Sequence, residues 1–311
     1  MGLELTMRRF FRRALLIIRE AVCGHLLNPV WHSRMERRHT RGEAGRRAIM
    51  WYLGDYLPFV SSLVPDVQTG RRDSRRIFSL WLQGEASAPE IVKACWRSVR
   101  ANCTEELVIL DERSLGNWIT LPEHIMRKWS EGKIKPAHFA DICRVELLYR
   151  YGGIWLDATD FVPAAFPEWL WDADFFVYMS GNRQKGYYSF IQNCFIRSCS
   201  SSFLIRAWRD LIFEYWSRED SAADYFVHQL LFRLLVENNA AAGREFARMP
   251  RKDQDATHLL WFDGNAGMPF DDARYREICS GALFQKTEYK SVTAKCPPAG
   301  SVARALIEMY R

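Results

Sequence analysis

The chain has 311 residues, of which 48% are hydrophobic and 26% are charged. This composition excludes an intrinsically disordered chain, and the length suffices for one large or two ordinary domains with a sizeable buried core. The formal net charge of +6 is unevenly placed, because residues 1–76 carry a net +8 and residues 77–311 a net −2. The basicity therefore belongs to the leading segment and not to the body of the protein.

The first predicted element is a basic amphipathic helix over Met7–Leu27, which reads MRRFFRRALLIIREAVCGHLL. Apolar residues recur there at helical spacing, and arginines fall mostly on the other side. The uncharged apolar run Ala14–Ile18 is far shorter than a membrane-spanning helix, and no secretory signal is evident. The apolar set is Phe10, Phe11, Ala14, Leu15, Ile18, Ala21 and Val22, and the basic set is Arg8, Arg9, Arg12, Arg13 and Arg19.

Two interpretations of this helix stand side by side. It suits docking on an anionic membrane surface, which would place the protein in the cytoplasm on the cytoplasmic face of the inner membrane. Alternatively it packs on the body of the protein and leaves its arginines solvated. Nucleic-acid binding is not expected, because the basic residues are confined to this arm and no nucleic-acid motif accompanies them.

Beyond the charge-rich junction Arg71–Arg76, the pattern changes to alternating strands and helices. Ile77–Gly84 (IFSLWLQG) predicts a buried strand that ends in a glycine turn, and Ala88–Cys103 has a helical period. Glu106–Asp111 (ELVILD) predicts a second strand with an acid at its end. We therefore divide the chain into an N-terminal extension, 1–76, and a main domain, 77–311.

The segment KPAHFADICRVELLYRYGG predicts a long helix with Pro136 in its first turn and Gly152 or Gly153 at its end. Ile154–Leu156 (IWL) is then a third strand. The order β-α-β-α-β predicts an α/β fold with a mostly parallel sheet flanked by helices. In such sheets ligands bind beyond the carboxyl ends of the strands, where Gln83 with Gly84, Asp111 and Asp157 all fall.

Two carboxylates follow the third strand in the stretch YGGIWLDATD. Asp157 and Asp160 could hold a hard divalent cation, which takes oxygen ligands, although turns also favour Asp. In the preceding helix, Asp141 and Arg144 are three residues apart and share a face, where they could contact a ligand or form a structural ion pair. The succession of helix, glycine pair, strand and acid favours a binding site.

The stretch HFADICRVELLYRYGGIWLDATD resembles the core signature of glycosyltransferases that contain the DXD sugar-binding region, and most of all the capsular polysaccharide synthesis family. Other parts follow in the expected order: WLQG with APEIVKACWRS, then YFVHQLLFRLL, then FQKTEYK. The resemblance covers about Ile77–Lys290. It implies a GT-A-like, Rossmann-type fold and retaining transfer from a nucleotide-sugar, expected to be a UDP-sugar, to a glycan or lipid-linked glycan. It also implies a divalent metal, Mn²⁺ or Mg²⁺.

The resemblance also implies roles for individual residues. Trp81 would stack on the nucleotide base, and Asp141 and Arg144 would contact the donor sugar and diphosphate. Asp157 matches the first acid of the DXD region, but the usual second acid position is Thr159, and the acid stands at Asp160. In a continuing strand Thr159 would share the face of Asp157, whereas in a turn Asp160 would swing back. Gln83, Gly84 and Trp155 complete the implied donor-binding set.

Four further candidates each have a structural alternative. Asn193 would lie near the reacting sugar, or it is a strand-edge residue. His228 would complete a metal or phosphate shell, or it is a satisfied core histidine. Lys286 and Lys290 would cover the diphosphate, or they are solvated lysines. Two rival functions also remain, a glycoside hydrolase and a non-catalytic carbohydrate-binding protein on the same fold.

Cysteine usage shows no metal-binding or redox motif, since the eight cysteines form no CxxC pair and no Cys/His ligand spacing. Several of them lie in apolar periodic stretches. Buried, reduced thiols are therefore expected, which favours a reducing compartment.

Overall fold

A five-stranded sheet forms the centre of the protein, whose structure is a computed structural model that describes residues 7, 11–18, 47–65, 74–181 and 190–311. The strand order is β2-β1-β3-β6-β5. β1 pairs in parallel with β2 and β3, whereas β6 runs antiparallel to β3 and β5, so four of the five strands share one direction. The strands are β1 Arg76–Leu80, β2 Glu106–Leu110, β3 Gly153–Leu156, β5 Phe175–Met179 and β6 Ile191–Ser198.

A second, two-stranded sheet lies next to the end of β3 in the chain. It pairs β4 (Asp160–Phe161) with β7 (Gln285–Lys286) in antiparallel fashion. This pairing brings a segment near the C-terminal end of the chain back to the residues that follow β3.

Helices flank the central sheet. They are α1 Leu57–Ser62, α2 Glu90–Asn102, α3 Glu123–Ser130, α4 Pro136–Tyr151, α5 Glu168–Asp172, α6 Phe203–Arg218, α7 Val227–Asn238, α8 Ala240–Arg248, α9 Asp272–Ser280, α10 Val292–Lys295 and α11 Val302–Glu308. On one face of β1, Trp96 of α2 donates a hydrogen bond to Ser79 over 3.0 Å. Phe78 of β1 belongs to the main apolar core, together with Ile142 of α4. The α/β fold with a mostly parallel, helix-flanked sheet is therefore confirmed.

The turn after β1 is longer than the sequence predicted. The strand ends at Leu80, and the residues predicted to continue it form a turn, which the Gly84 amide closes by donating to the Trp81 carbonyl, 2.8 Å away. Gly84 has φ +86°, a conformation that side chains with a Cβ rarely adopt. The predicted strand is longer than the observed one because the apolar run continues through Trp81 and Leu82, which are themselves half-buried.

The glycine pair after α4 sets the position of β3. α4 begins at Pro136 and ends before Gly152, as predicted. Gly153 has φ +95°, and a Cβ there would lie 2.4 Å from the carbonyl oxygen of Arg76 in the neighbouring strand. Only glycine permits this close approach of β3 to β1, and the approach carries Asp157 to the edge of the sheet.

The N-terminal segment contributes to the main core where the structure describes it. Tyr52, Leu53, Tyr56 and Val60 are buried in the same apolar cluster as the central sheet. The predicted arm Met7–Leu27 is described at residues 7 and 11–18; the rest of it, including Arg8, Arg9 and Arg19, lies outside the described residues, as do Cys23 and residues 71–73 of the junction.

The described part of the arm reverses the expected orientation. Arg12 pairs with Asp55 at 2.6 Å, and Arg13 lies 3.3 Å from Glu219, whose carboxylate also accepts from the Tyr52 hydroxyl. The outer side is apolar, with Phe11, Leu15, Ile17 and Ile18 about half or more exposed. A packed helix with a solvated arginine face is therefore wrong for Arg12 and Arg13, because acids of the body, the exposed Asp55 and the buried Glu219, draw both guanidinium groups inward.

Two absences hold for the described part of the chain. It contains no helix that is long and apolar enough to cross a membrane. Its seven described cysteines are free thiols, four of them buried: Cys95, Cys103, Cys143, Cys194, Cys199, Cys279 and Cys296.

Candidate functional site

A cavity of about 880 Å³ opens where β1 and β3 end, a size usual for small-molecule sites. Nine of the twelve residues predicted to form the site line it. Gly84, Asp160 and His228 lie outside the lining. The nine are Trp81, Gln83, Asp141, Arg144, Trp155, Asp157, Asn193, Lys286 and Lys290. The cavity therefore lies where ligands bind in sheets of this type, beyond the carboxyl ends of the strands.

Asp157 stands between two cationic side chains. Its Oδ1 accepts from Arg144 Nη2 at 3.2 Å and from the Trp155 indole at 2.9 Å, and its Oδ2 accepts from Lys286 Nζ at 3.0 Å. Burial alone would raise the pKa of Asp157, but the charges of Lys286 and Arg144 outweigh it and hold the pKa below its ordinary value. Asp157 is therefore ionised at neutral pH.

The buried Trp155 ring contacts both Asp157 and Arg144. Its ring is only 1% exposed and lies 5.0 Å from the Arg144 guanidinium, in a cation–π contact. Its N–H holds the Asp157 carboxylate. The indole thus fixes the two charged groups on the floor of the cavity.

The chain turns directly after Asp157 and does not continue as a strand. The Asp160 amide donates to the Asp157 carbonyl at 3.0 Å, and Asp160 then pairs with Lys286 across β4 and β7. Lys286 Nζ lies 2.8 Å from Asp160 Oδ1. The carbonyl of Thr159 instead accepts from the amide and the hydroxyl of Thr287. Asp160, rather than Thr159, is therefore the residue that shares a cationic partner with Asp157.

Asp160 differs from Asp157 in its exposure. It is fully buried, whereas the Asp157 side chain is 28% exposed. Burial raises the pKa of Asp160 to about 7, although the charge of Lys286 opposes the shift. The same two acids raise the pKa of the Lys286 ammonium against the effect of its own burial. Lys286 is therefore a fixed positive charge.

The two carboxylates have the chemistry that a divalent cation requires. Asp157 Oδ2 and Asp160 Oδ1 converge on one point, and Asp160 Oδ2 is buried without a hydrogen-bond partner. Carboxylate oxygens are the ligands that Mg²⁺ and Mn²⁺ prefer. The residue types therefore fit a cation, and the point on which the oxygens converge is held by the Lys286 ammonium.

Asp141, Arg144 and Asn193 form one hydrogen-bonded unit, although they come from two different elements, α4 and β6. Arg144 Nη1 lies 3.0 Å from Asp141 Oδ1 and donates to the Asn193 carbonyl at 2.5 Å. The Asn193 amide donates to Asp141 Oδ1 at 2.7 Å. Burial opposes ionisation of Asp141, but the Arg144 charge and both neighbouring histidines lower its pKa. These contacts fix Arg144 beneath Asp157.

His138, Asp141 and His228 offer a second set of ligand atoms, all within 4.8 Å of one another. His228 Nε2 accepts a hydrogen bond from the Trp216 indole at 2.8 Å, and an indole can only donate. In the neutral ring this leaves the proton on Nδ1, which lies 3.0 Å from Asp141 Oδ2. Burial lowers the pKa of His228, which favours that neutral ring. A cation at Nδ1 would require Trp216 to give up its hydrogen bond.

The other end of the cavity is aromatic. Trp81 and Tyr289 meet edge to face with ring centroids 5.1 Å apart, and the Trp81 indole nitrogen is buried without a hydrogen-bond partner. A neighbouring cavity of about 470 Å³ shares both rings and Gln83. Lys290 is exposed, with its ammonium 5.6 Å from the Tyr289 ring. This end offers a flat apolar surface with an unsatisfied donor beside it.

Sequence reasoning missed several residues that line the cavity, among them Lys135, Tyr225, Gln229 and Tyr289. All four lie in the segments that carry the predicted site residues. Tyr225 and Gln229 flank His228, and Tyr289 lies between Lys286 and Lys290. Lys135 stands directly before Pro136, which begins the helix. A proline there indicates where a helix starts, but it does not show that the charged residue before it lines the cavity.

Comparison with known proteins identifies the family through a family model that matches most of the chain. A family model described as "Capsular polysaccharide synthesis protein" matches residues 52–303. The curated protein "Glycosyltransferase afumC" of Aspergillus fumigatus is 25% identical over 181 residues, or 53% of this chain and 46% of that protein. The chain thus spans about half the length of this curated relative. The solved structure "PaToxG Glycosyltransferase" is 13% identical with a TM-score of 0.38, over 67% of this chain and 83% of that chain. The family match includes all twelve predicted site residues.

Proposed function

Because the chain belongs to the capsular polysaccharide synthesis family, we propose that it is a glycosyltransferase. It transfers a sugar from a nucleotide-sugar donor to a glycan acceptor in the synthesis of a capsular or other surface polysaccharide. We propose a UDP-sugar as the donor and retention of its anomeric configuration.

The observation that carries this proposal is the chemical asymmetry of the cavity. One end presents Trp81 and Tyr289, and the other presents Asp157 between Arg144 and Lys286. A nucleotide-sugar has the matching order of a flat base, a negatively charged diphosphate and a polar sugar. We place the base against the rings and the diphosphate at the charged end.

The chain's own residues then act by positioning and by charge. Arg144 and Lys286 offset the charge that develops on the diphosphate as the sugar leaves. Asp141 and Asn193 hold Arg144 in place, and His228 holds Asp141. A divalent cation, Mn²⁺ or Mg²⁺, would be held by Asp157 and Asp160 and would stabilise the same leaving group as a Lewis acid. Lys290, exposed at the mouth, closes over the bound diphosphate.

The acceptor side of the proposal concerns the N-terminal helix. We propose that residues 11–18 dock on an anionic membrane, where a lipid-linked glycan would be available. Their outward side chains, Phe11, Leu15 and Ile18, are apolar. The surrounding sequence is rich in arginine, and cations near an anionic surface add about 1 kcal/mol each. An apolar face next to basic residues is the pattern of an interfacial helix.

A screen of nucleotide-sugars tests the proposed activity. The purified protein is incubated with each donor and a divalent cation, and release of the nucleoside diphosphate is measured. We expect slow hydrolysis of one donor class, most of all a UDP-sugar, and NMR of the released sugar reports its configuration. If no donor is hydrolysed or bound, and free sugars alone raise the melting temperature, a carbohydrate-binding protein replaces the transferase.

The glycoside hydrolase alternative finds less support in the geometry. A hydrolase needs two carboxyl groups that both reach the glycosidic bond. Asp160 is fully buried, and both Asp157 and Asp160 bind one ammonium. This arrangement suits the binding of charge better than the transfer of a proton to a sugar.

A further inference from the structure

Lys286 occupies the point between Asp157 and Asp160 because the backbone places it there. Lys286 lies directly opposite Asp160 in the β4–β7 pair. The next residue, Thr287, donates both its amide and its hydroxyl to the Thr159 carbonyl, at 2.8 and 2.9 Å. These bonds fix the register, so the ammonium reaches the two carboxylates from a rigid support and not from a mobile loop.

The oxygens that face Lys286 are the ones that a cation would use. Asp157 Oδ1 already accepts from Arg144 and Trp155, which leaves Oδ2 to face the ammonium. Asp160 contributes Oδ1 to the ammonium, and its Oδ2 has no hydrogen-bond partner. Among the described side chains at this site, the pair therefore offers the same inner oxygens to Lys286 and to any divalent ion.

The two cations cannot share these oxygens. The ammonium lies 3.0 and 2.8 Å from them, whereas a divalent ion binds carboxylate oxygens at about 2.0–2.6 Å. Both would occupy the same small volume, and two like charges at that separation repel strongly. With Lys286 in place and both acids ionised, the two acids and the lysine carry one net negative charge. A divalent ion in place of the ammonium would neutralise the two acids and free the ammonium.

From this geometry we propose that Lys286 and a divalent cation compete for the Asp157–Asp160 pair. Lys286 then serves as an internal cation that keeps two buried acids together in the absence of metal. When a divalent ion enters, the ammonium leaves the pair and faces the cavity. The competition rests on the proposed function only for its purpose, because the freed ammonium would contact the donor diphosphate. The exchange itself is a property of the protein without any nucleotide.

Direct binding of Mn²⁺ without nucleotide tests the competition. Free Mn²⁺ is quantified by electron paramagnetic resonance for the wild type, Lys286→Met and, as a matched control from the same cavity, Lys135→Met. We expect Lys286→Met to bind Mn²⁺ at least tenfold more tightly than the wild type, and Lys135→Met to match the wild type. Equal or weaker binding by Lys286→Met would overturn the proposal.

A second measurement on the unaltered protein covers the case in which Lys286→Met does not fold. Lysine acetylation is mapped by mass spectrometry with and without saturating Mn²⁺. We expect Mn²⁺ to increase the labelling of Lys286 severalfold and to leave Lys290 unchanged. Unchanged labelling of Lys286 would contradict the exchange. Neither measurement uses a donor, so a failed donor screen and a failed competition remain distinguishable.

Discussion

In both the charged end of the cavity and the N-terminal helix, arginines pair with carboxylates, but apolar side chains are buried around the cavity and exposed on the helix. In the cavity, Arg144 is buried between Asp141 and Asp157, and the apolar groups around it are buried as well. In the helix, Arg12 and Arg13 turn to acids of the body, and apolar side chains face outward. A guanidinium follows its carboxylate partner in both places, and only the helix is left with an apolar face that needs a cover.

This contrast separates what each region presents outward: charged groups in the cavity, and apolar side chains on the helix. The cavity holds its charges ready for a ligand, because each is fixed by two or more partners. The helix has engaged its two described arginines with the protein, so the proposed membrane binding would rest on apolar contact and on the arginines elsewhere in the arm sequence.

The largest expected effect is that of Asp157→Asn. The change keeps the shape of the side chain but removes the charge that Arg144 and Lys286 share, so we expect turnover of the donor to fall by about 10²- to 10³-fold. The measurement is nucleoside diphosphate release under saturating donor. Asp111→Asn is the matched control, since Asp111 also follows a strand of the sheet but binds Ser114 in its own turn. Near wild-type turnover in Asp157→Asn would remove Asp157 from the reaction.

The second largest expected effect shows whether catalysis depends on the forked geometry of the Arg144 guanidinium or only on its charge. Arg144→Lys keeps the charge but cannot reach Asp141, Asp157 and the Asn193 carbonyl together. We expect kcat/KM for the donor to fall by about tenfold to a hundredfold, because misplaced binding groups lower catalysis sharply. Arg150→Lys in the same helix, where Arg150 pairs with Glu146 near the surface, should leave kcat/KM within about twofold. Equal effects of the two changes would mean that helix stability, and not the site, is measured.

The apolar face of the helix gives the third effect. The double change Leu15→Ser with Ile18→Ser should reduce binding to vesicles of anionic lipid by about tenfold or more, because each buried aliphatic side chain contributes about 1.5–3 kcal/mol. Sedimentation with vesicles at high salt measures this apolar part of binding. Hydrolysis of the soluble donor should not change. Full vesicle binding by the double variant would show that the outward face does not touch the membrane.

The smallest expected effect is the pH dependence of stability due to Asp160. Its raised pKa means that its contribution is fully present below the ordinary aspartate pKa of about 4 and is lost as the pH rises to about 7. Asp160→Asn does not titrate, so its free energy of unfolding should gain on that of the wild type by at least about 1.4 kcal/mol, the equivalent of one pKa unit, between pH 4 and 7.5.

Urea unfolding in the presence of EDTA measures this difference, with Thr159→Ala as the control. Lys286, Asp157 and Arg144 all influence the pKa of Asp160, and all three are retained in Asp160→Asn and in Thr159→Ala. Thr159→Ala should follow the pH profile of the wild type. A constant gap between Asp160→Asn and the wild type across this range would show that Asp160 titrates normally.

Local sequence patterns were enough for the core of the fold and for one half of the site. The period of α4, its proline start and its glycine stop fix where Arg144 and Asp157 lie, since only 13 residues separate them. The apolar runs of the buried strands and their C-terminal ends predicted the side of the sheet on which the cavity opens. These contacts join residues that are close in sequence, so a local pattern is enough to predict them.

The other half depends on pairings that no local pattern contains. Lys286 reaches Asp160 across 126 residues, through the two-residue strands β4 and β7, which are too short to leave a periodic signal. The orientation of the N-terminal helix likewise depends on Glu219, 206 residues from Arg13. An amphipathic period shows that a helix has two faces, but the distant acids decide which face packs.

The most direct test of the central claim is equilibrium binding of nucleoside diphosphates in the presence of Mn²⁺, measured by calorimetry. The wild type and Asp111→Asn should bind one nucleoside diphosphate, expected to be UDP, with equal affinity, and Asp157→Asn should bind it at least tenfold more weakly. If the wild type binds none of them, or if Asp157→Asn binds as tightly as the wild type, the charged end of the cavity is not a diphosphate site.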